Sequence, residues 1–517
     1  MRSAPSVFVS HAGDAAELLS ILREAGFSAG SSTRVTFTVL DTIDGRLHRK
    51  GMRLVATGTG STSTMTLELS KVGAAHSSAT TDRLPLRASE LHSGELCEAI
   101  QAVTGERVLL AQTTIVATRT LPTQRDHAGE LKALLTVDDR VHLAGRRKSL
   151  LSAATVHRVA GQGMFRRRAE ALCVEAGFVA ASDDVLAMAV RAAGIDLRGV
   201  LRSPADAFDD ETTAFDGLRS VLAQLTIEIG AFWQGAADGR DPAFVHGLRV
   251  AIRRSRSVLV EGRSVVPRGV FSWADHGLGI LGACTGPARD LDVYLAEWPS
   301  YTSMLDEETV TALDPVKALL EVRRHVAYGE LATAMQLPDT TEFVRDWGRW
   351  LHEPVSSRSG RRSSDGVRGL AEFIVERIER AHRTLLENGR QITDASPATQ
   401  LHDLRRDAKR LRYLLECFSA LLPRKATRDF VRRLKSLQDN LGAHQDAEVH
   451  AAQTVALVLH HDALEWPGAT VAAAGVLAGR MEQQCNAARA EFGARFAEYD
   501  SPATQAALMR ILIVKPA

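Results

Sequence analysis

Two stretches of the sequence carry the same pattern of histidine, basic and leucine residues at the same spacing. The first is FVHGLRVAIRRSRSVL, whose histidine is His246, and the second is QLHDLRRDAKRLRYLL, whose histidine is His402. The two histidines lie 156 positions apart, and the match keeps this offset without a gap as far as Asp290 and Asp446. A match that keeps its register over this length indicates an internal duplication, which predicts two structurally equivalent halves.

Each stretch is predicted to form an amphipathic helix. In a helix, the positions three, seven and ten residues after each histidine fall on one face roughly 80° wide. The leucines fall on another face, which is typical of a helix that packs in a core. Few acids are available to pair with the basic face, because none lies between His246 and Arg256 and only Asp403 and Asp407 lie in the second stretch. A solvated charged face is the alternative, but the recurrence of the pattern favours a ligand-binding face.

The basic faces suit a long anion. Guanidinium groups bind phosphate oxygens in a bidentate manner, and packed arginines repel one another unless an anion lies between them. Inorganic polyphosphate and a nucleic-acid backbone both carry evenly spaced charges. A formal net charge of only +1 argues against general nucleic-acid binding, and few aromatic residues accompany the basic ones to stack on bases.

The second part of the chain resembles the CHAD domain, the conserved-histidine α-helical domain. The resemblance rests on His246–Leu259, His402–Leu415 and Arg433–Asp446, the last of which reads RLKSLQDNLGAHQD. It implies an all-α domain of two duplicated four-helix bundles related by pseudo-twofold symmetry, with inorganic polyphosphate in a basic channel between them. The residues that it implies for polyphosphate binding are His246, Arg249, Arg253, Arg254, Arg256, His402, Arg405, Lys409, Arg410, Arg412 and Lys435.

Residues 1–202 are predicted to form a separate α+β domain. Arg34–Leu40 alternates as a strand does, and residues 47–56 are a further strand candidate. The stretch VLDTIDGRLHRKGMRL, residues 39–54, resembles part of the CYTH domain, the triphosphate tunnel fold, which often precedes a CHAD domain. This resemblance implies an antiparallel barrel.

The catalytic residues of the CYTH family are missing from their expected places. Members that hydrolyse triphosphate carry Glu-x-Glu-x-Lys on the first strand, where the acids hold Mg²⁺ or Mn²⁺. Here Ser6–His11 reads SVFVSH, and residues 153–158 read AATVHR. The domain is therefore predicted to be degenerate and noncatalytic, with no cofactor unless it is active. The basic residues left to bind an anion, or simply to be solvated, are Arg46, Arg49, Lys50, Arg53 and Arg119.

The sequence predicts a boundary near residue 202, with Arg198–Asp210 as the linker. The CHAD-like domain spans 203–517, its halves cover about 211–355 and 365–510, and Arg358–Arg362 forms a basic loop between them. The five cysteines are scattered and form no CxxC pair, which indicates a reducing compartment. No group of potential ligands in the sequence has the spacing of a metal-binding motif. Without an apolar leader or a run long enough for a membrane span, the protein is expected to be cytoplasmic, with no membrane contact.

Three functions are compatible with these features. The favoured one is noncatalytic binding of inorganic polyphosphate or a similar polyanion, with polyphosphate granules or polyphosphate-metabolising proteins as partners. The second is a metal-dependent triphosphatase or polyphosphatase that uses the CYTH-like domain. The third is binding of a nucleic-acid backbone through the same basic faces, which is the least favoured.

Overall fold

The protein divides into two compact units, Met1–Leu201 and Arg202–Ala517, and each is described by itself. The computed structural model describes residues 5–11, 15–28, 30–60, 64–71, 77–85, 87–91, 94–195, 208–303, 305–353, 363–459 and 466–513. The predicted linker, Arg198–Asp210, lies mostly outside the described residues, and the predicted basic loop, Arg358–Arg362, lies wholly outside them.

The first unit is built on one antiparallel sheet, as predicted. The elements of this unit are β1 (Ser6–Ser10), α1 (Ala16–Glu24), β2 (Thr33–Thr42), α2 (Arg46–Arg49), β3 (Met52–Thr59), β4 (Met65–Lys71), β5 (Ser77–Thr81), α3 (Glu95–Thr104), β6 (Leu109–Thr120), β7 (Thr123–Arg125), β8 (Leu131–Leu143), β9 (Leu151–His157), α4 (Gly163–Glu175), β10 (Val179–Ala181) and α5 (Val185–Ala192). The strands follow the order β10-β1-β9-β8-β6-β2-β3-β4-β5, with β7 paired to β8. Because this hydrogen-bonded path ends at β10 and β5, the described strands form an open sheet and not the closed barrel that was expected.

Strand β2 contributes apolar side chains to a hydrophobic core on each face of the sheet. Adjacent side chains of a strand point to opposite faces, so Val39 packs in one hydrophobic cluster and Leu40 in another. The predicted strand at residues 47–56 is wrong in its first part, because α2 precedes β3. The buried carboxylate of Asp41 accepts hydrogen bonds from the backbone N–H groups of Leu47 and His48, both at 2.9 Å, and so holds this helical turn.

Helices are the regular elements of the second unit among its described residues, as predicted. Among the described residues of the whole chain, none of the helices has both the length and the apolar composition that crossing a membrane requires. Two helix ends differ from what the sequence predicts: the helix predicted to end before Gly235 continues to Ala237, and the helix predicted to stop at Leu441 runs on to Leu459. The helices are α6 (Ala214–Ala237), α7 (Pro242–Glu261), α8 (Arg268–Cys284), α9 (Gly286–Thr302), α10 (Glu307–Ala312), α11 (Asp314–Gln336), α12 (Pro338–His352), α13 (Leu370–Arg390), α14 (Ala398–Cys417), α15 (Arg424–Leu459), α16 (Gly468–Tyr499) and α17 (Pro502–Leu512).

The helix bounds repeat at the offset found in the sequence. Helices α6 and α13 begin 156 residues apart, and α7 and α14 both begin and end at that offset. The pair α8 and α9 corresponds to the single helix α15, because the first copy is interrupted after Cys284 and the second is not. Pro287, in the first turn of α9, cannot donate a backbone hydrogen bond, which explains why the helix breaks there.

Residues at equivalent repeat positions meet inside the second unit. Tyr294 and His450 are 156 positions apart, and their rings stack with centroids 4.4 Å apart and planes 7° apart. Tyr301 adds a hydrogen bond of 2.8 Å between its hydroxyl and Nδ1 of His450. Because equivalent residues of two related halves can touch only near the axis that relates them, this stack marks the pseudo-twofold axis of the helical unit.

Candidate anion-binding site

The two basic helices, α7 and α14, pack against each other. Each turns its leucine face into the core, where Leu248, Leu259, Leu404 and Leu415 are buried. This burial fixes the rotation of both helices about their axes. The basic faces are therefore held at defined angles to one another, and their positions do not depend on the mobility of the side chains.

Two crossed ion pairs join α7 to α14. Arg254 of α7 donates to Glu416 at 2.5 Å, and Arg410 of α14 donates to Glu261. Arg254 and Arg410 occupy the same repeat position, and each reaches a glutamate near the end of the opposite helix. The two arginines are equivalent under the pseudo-twofold symmetry, but the two glutamates are not, because the position equivalent to Glu261 holds Cys417. Both ion pairs join one half of the domain to the other.

A cavity of about 560 Å³ opens beside these two helices, and its charge is strongly unbalanced. Six basic side chains and one carboxylate line it, together with uncharged or imidazole groups. The basic residues are Arg253, Arg256, Arg405, Arg406, Lys409 and Arg410, the carboxylate is Asp403, and the remaining lining is Ser257, Thr399, His402, Tyr413 and Gln445.

Arg253 and Lys409 stand at equivalent repeat positions and both line this cavity. Among the described residues, neither has a carboxylate within 4.0 Å. Burial, together with the charges of Arg405 and Arg253, lowers the pKa of Lys409 to about 7. The cavity therefore holds positive charge that no carboxylate within ion-pair distance neutralises at these two positions, and burial together with this charge disfavours protonation of Lys409.

Other basic residues of the cavity are held by partners at its margin. Arg256 donates to Asp275 at 3.2 Å. Arg405 donates to the side chain of Gln445 and, at 3.3 Å, to Asp446. These contacts orient the guanidinium groups, which reduces the conformational entropy that binding an anion would cost.

Five of the predicted binding residues lie away from the cavity lining. Arg254 is in the ion pair with Glu416, and Arg249 donates to the carbonyl of Gly282 at 2.9 Å. Lys435 is exposed and pairs with Asp439 at 2.7 Å. The residues outside the lining are His246, Arg249, Arg254, Arg412 and Lys435, whereas His402 and the other five predicted residues line it.

The sequence interpretation missed Arg406 and Gln445, which both line the cavity. Arg406 lies one helical turn after His402, so the helical spacing itself was a usable signal. The structure also brings His402 to Glu448, with Nε2 and Oε2 2.8 Å apart, although 46 residues separate them. Only the packing of α14 on α15 creates this contact.

The first unit contains a second cavity, of about 410 Å³, whose charges are mostly paired. Arg119 forms a bidentate pair with Asp138, at 2.7 and 2.9 Å, and Asp138 is only 2% exposed. Arg53 pairs in the same bidentate way with Asp184, and Glu68 also lines the cavity. The acids thus come from β4, β8 and the residue before α5, and not from β1.

The remaining basic residues expected to bind an anion in this unit are placed differently. Arg46 and Arg49 both form ion pairs with Asp44, at 3.3 and 2.7 Å. Neither residue lines the cavity, and Lys50 is exposed outside it. Of the five predicted residues, the structure therefore brings only Arg53 and Arg119 to this cavity, and both are neutralised there by a carboxylate.

Comparison with known proteins identifies the second unit. Residues 220–454 match the family model of the CHAD domain, which contains both basic helices. The C-terminal part of this chain is therefore a CHAD domain. The antiparallel sheet of the first unit is consistent with the resemblance to the CYTH fold.

Three solved structures align with parts of the chain. The CHAD domain from the plant Ricinus communis is 26% identical, with a TM-score of 0.45 over 60% of this chain and 96% of that one. PptA from Streptomyces chartreusis is 18% identical, with a TM-score of 0.42 over 55% and 100%. HpAC1 from Hippeastrum, for which a dominant triphosphatase activity is described, is 14% identical, with a TM-score of 0.27 over 37% and 94%. No curated protein matches the chain.

Proposed function

We propose that the CHAD domain of this protein binds inorganic polyphosphate, or a polyanion with similarly spaced phosphates, without cleaving it. The observation that carries the proposal is the cavity beside α7 and α14, which has six basic side chains and one carboxylate in its lining. A flexible chain of phosphates can place a negative oxygen near each of these groups. A small anion would neutralise only some of them.

The lining favours phosphate over nucleic-acid bases. Proteins that bind single-stranded nucleic acid combine a basic groove with exposed aromatic rings on which bases stack. The aromatic residue in this lining is Tyr413, which is 5% exposed and stands next to the basic face. A ring buried to this extent offers no stacking platform, so the backbone charge is the feature that this site can recognise.

The arrangement of carboxylates favours binding over hydrolysis. Asp403, the carboxylate of the basic cavity, is paired with Arg406. In the first unit, Asp138 and Asp184 are each held by an arginine. A carboxylate whose oxygens already accept from a guanidinium is a poor ligand for the Mg²⁺ or Mn²⁺ on which metal-dependent phosphoryl transfer depends.

The proposal is tested by titrating the full chain with long-chain polyphosphate at two salt concentrations, with and without Mg²⁺, while binding and released phosphate are followed together. Engagement of six phosphates predicts that log K falls with log salt with a slope of roughly −4. Binding without phosphate release supports the proposal. Metal-dependent release would overturn it in favour of a triphosphatase or polyphosphatase, and equal competition by RNA would favour nucleic-acid binding.

The same proposal predicts where the protein acts. A protein that holds polyphosphate in the cytoplasm is expected to associate with polyphosphate granules or with proteins that make or degrade the polymer. A fluorescent fusion in cells that accumulate polyphosphate tests this expectation. The fusion should follow the granules, and an Arg253→Glu/Lys409→Glu fusion should remain diffuse.

A further inference from the structure

Another cavity of the CHAD domain, of about 660 Å³, is lined by residues of α9, α15 and α16 and carries the opposite charge to the basic cavity. Four carboxylates and one guanidinium line it, and the linings of the two cavities have no residue in common. The carboxylates are those of Glu297, Asp439, Asp446 and Glu491, and the guanidinium is that of Arg495. The anion-binding proposal assigns no ligand to this acidic cavity.

The carboxylates of the acidic cavity are available to a cation. Among the described residues, Glu297 has no basic side chain within 4.0 Å. Each of the other three carboxylates has one basic partner, at 2.7, 3.3 and 3.5 Å, and these three acidic side chains are 62%, 43% and 60% exposed. Ion pairs on an exposed surface contribute little to stability, so a bound cation can compete for these carboxylates.

A buried tyrosine shows that the potential in the acidic cavity is negative. Tyr301 lines the cavity and is only 5% exposed. Burial, together with the charges of Glu297 and Asp446, raises the pKa of its hydroxyl. The two carboxylates therefore act on the interior of the cavity, where a positive charge is favoured for the same reason that a tyrosinate is disfavoured.

A buried amide gives a second indication of a missing ligand. Asn440, which lines the acidic cavity, is 9% exposed, and its Nδ2 donates to the carbonyl oxygen of Ala488 at 2.9 Å. Its Oδ1 is buried and accepts no hydrogen bond. Buried acceptors without a donor are rare in folded proteins, because each one costs stability. The N–H group of a ligand in this cavity would supply the missing donor.

The carboxylates are spread along the acidic cavity and do not converge on one point. Asp439 and Asp446 are both on α15, and their separation in sequence corresponds to about 10 Å along the helix. Within the part of the chain that the structure describes, no three of these carboxylates bring their oxygens close enough together to hold one metal ion. The cavity therefore suits a cation whose positive charges are themselves spaced apart.

Apolar groups lie between and beside the carboxylates. Ala443 and Ala447 line the cavity from α15, and Ala487 and Ala488 line it from α16. Their methyl groups offer a surface on which a methylene chain can be removed from water. A linear aliphatic polyamine has this composition, because its ammonium groups are separated by short runs of methylene groups.

The duplication provides an internal comparison for the three carboxylates on α9 and α15. The positions 156 residues from Glu297, Asp439 and Asp446 hold Gln453, Ala283 and Asp290. An acid thus recurs at one of the three positions, whereas the basic helix faces recur almost completely. The charge of the acidic cavity is therefore a property of this site and not of the repeat.

We propose that the acidic cavity binds a linear aliphatic polyamine, with its ammonium groups at the carboxylates and its methylene groups against the alanines. The volume of about 660 Å³ lies within the range of roughly 300–1,000 Å³ that is typical of small-molecule sites. Asp446 also accepts from Arg405, which lines the basic cavity, so one ion pair joins the two cavities. Any effect of the polyamine on polyphosphate affinity rests on the proposed function, whereas the polyamine site itself does not.

The test titrates the full chain with spermidine by calorimetry, at low ionic strength and without polyphosphate. The wild-type protein should bind one equivalent with a Kd below about 1 mM. Glu297→Gln/Glu491→Gln should weaken binding by about 10-fold, because two carboxylates on opposite walls become neutral amides of the same size. Glu330→Gln/Glu342→Gln is the matched control, since it removes the same charge from two exposed residues outside the lining, and it should leave the affinity unchanged.

The outcomes separate this inference from the proposed function. All four substituted residues are exposed, so the variants should keep the fold. The polyamine site is overturned if spermidine does not bind the wild type, if the control loses as much affinity as Glu297→Gln/Glu491→Gln, or if an equal concentration of Mg²⁺ displaces the spermidine. If spermidine binds as expected but polyphosphate does not, the polyamine site stands and the proposed function fails.

Discussion

The two halves of the CHAD domain have basic helices with equivalent bounds, α7 and α14, but these helices contribute unequally to the cavity beside them. Helix α7 supplies two basic residues to the lining, and α14 supplies four. Both halves keep an arginine beside an equivalent glycine: Nη1 of Arg249 lies near Gly286, and Nη2 of Arg405 lies near Gly442. The two copies thus keep the same arginine next to the same glycine, while the number of basic groups presented to a ligand differs between them.

The equivalent arginines also have different partners, and the cause is the helix break. Helix α8 ends at Cys284, so its last carbonyl groups lack the N–H groups of a following turn, and Arg249 donates to one of them, that of Gly282. Helix α15 continues through the equivalent position and uses its carbonyls internally. Arg405 therefore donates to the side chains of Gln445 and Asp446.

The strongest test of the comparison reverses charge at the pair of equivalent residues that both line the cavity. Arg253→Glu/Lys409→Glu should weaken polyphosphate binding by at least about 100-fold at low salt, because two attractive contacts become repulsive and the salt slope falls by about 1.4. The affinity is measured by titration at several salt concentrations. Lys435→Glu/Arg432→Glu is the matched control, since both residues are exposed and lie outside the lining. An equal loss in the control would mean that net charge alone drives binding.

A second test distinguishes the roles of Arg254 and Arg410, the equivalent arginines of the crossed ion pairs. Arg254→Ala should lower the free energy of unfolding by about 1–3 kcal/mol, because Glu416 loses the nearer of its two arginine partners and keeps only Arg412, yet leave polyphosphate affinity within a factor of two. Arg410→Ala should lower both quantities, because Arg410 lines the cavity and Glu261, its partner, is only 6% exposed.

Urea unfolding followed by tryptophan fluorescence measures the stability of these variants. All six tryptophans lie in the second unit, so the signal reports that unit alone. A loss of affinity in Arg254→Ala as large as that in Arg410→Ala would show that the two positions have the same role. The inference that the two halves contribute differently to binding would then be wrong.

The third test concerns pH. Burial and neighbouring arginines hold the pKa of Lys409 at about 7, and a bound polyanion would favour its charged form, so binding takes up a proton. Affinity should therefore rise as pH falls, by about 10-fold from pH 8 to pH 6. Lys409→Arg keeps the charge without titrating, as Arg253 does at the equivalent position, and should remove most of this dependence. An unchanged pH dependence in Lys409→Arg would assign it to other groups.

The smallest expected effect concerns the two equivalent glycines. A Cβ at Gly442 would lie 3.7 Å from the guanidinium of Arg405, which is an ordinary contact. Gly442→Ala should therefore raise the free energy of unfolding by about 0.5–1 kcal/mol, because alanine favours a helix interior. Gly286→Ala should raise the free energy of unfolding by less, since Gly286 begins α9 and lies outside a helix interior. A loss of stability in Gly442→Ala, measured by urea unfolding, would show that Arg405 needs the space.

Much of the fold follows from local patterns. The doubled spacing from His246 and from His402 predicted two amphipathic helices, and α7 and α14 both contain their stretch completely. Alternation predicted β2, and turn residues after Leu40 predicted the bend that Asp41 holds. The end of α15 was predicted too early, at Leu441 and directly before Gly442, whereas the helix continues to Leu459 and packs against α16.

Helical spacing predicted which residues lie on the basic helix faces, but helix packing decided which of them line the cavity. Helical spacing places Arg253 and Arg254 next to each other on the basic side, yet Arg253 lines the cavity and Arg254 is paired with Glu416. The difference depends on where α14 crosses α7, and no spacing within one helix contains that information. Carboxylates in the first unit were missed for the same reason, because Glu68, Asp138 and Asp184 meet only when distant elements assemble.

The sequence by itself determined that this chain contains a duplicated helical domain with two basic helix faces, because helix periodicity and repeat offset are properties of local order. Tertiary structure decided which basic groups face the cavity, which are neutralised by glutamates of the opposite helix, and which histidine meets His444 and Glu448. These outcomes depend on distances between residues far apart in the chain. Charge pairing acts over a few ångströms, so only the packed helices could determine it.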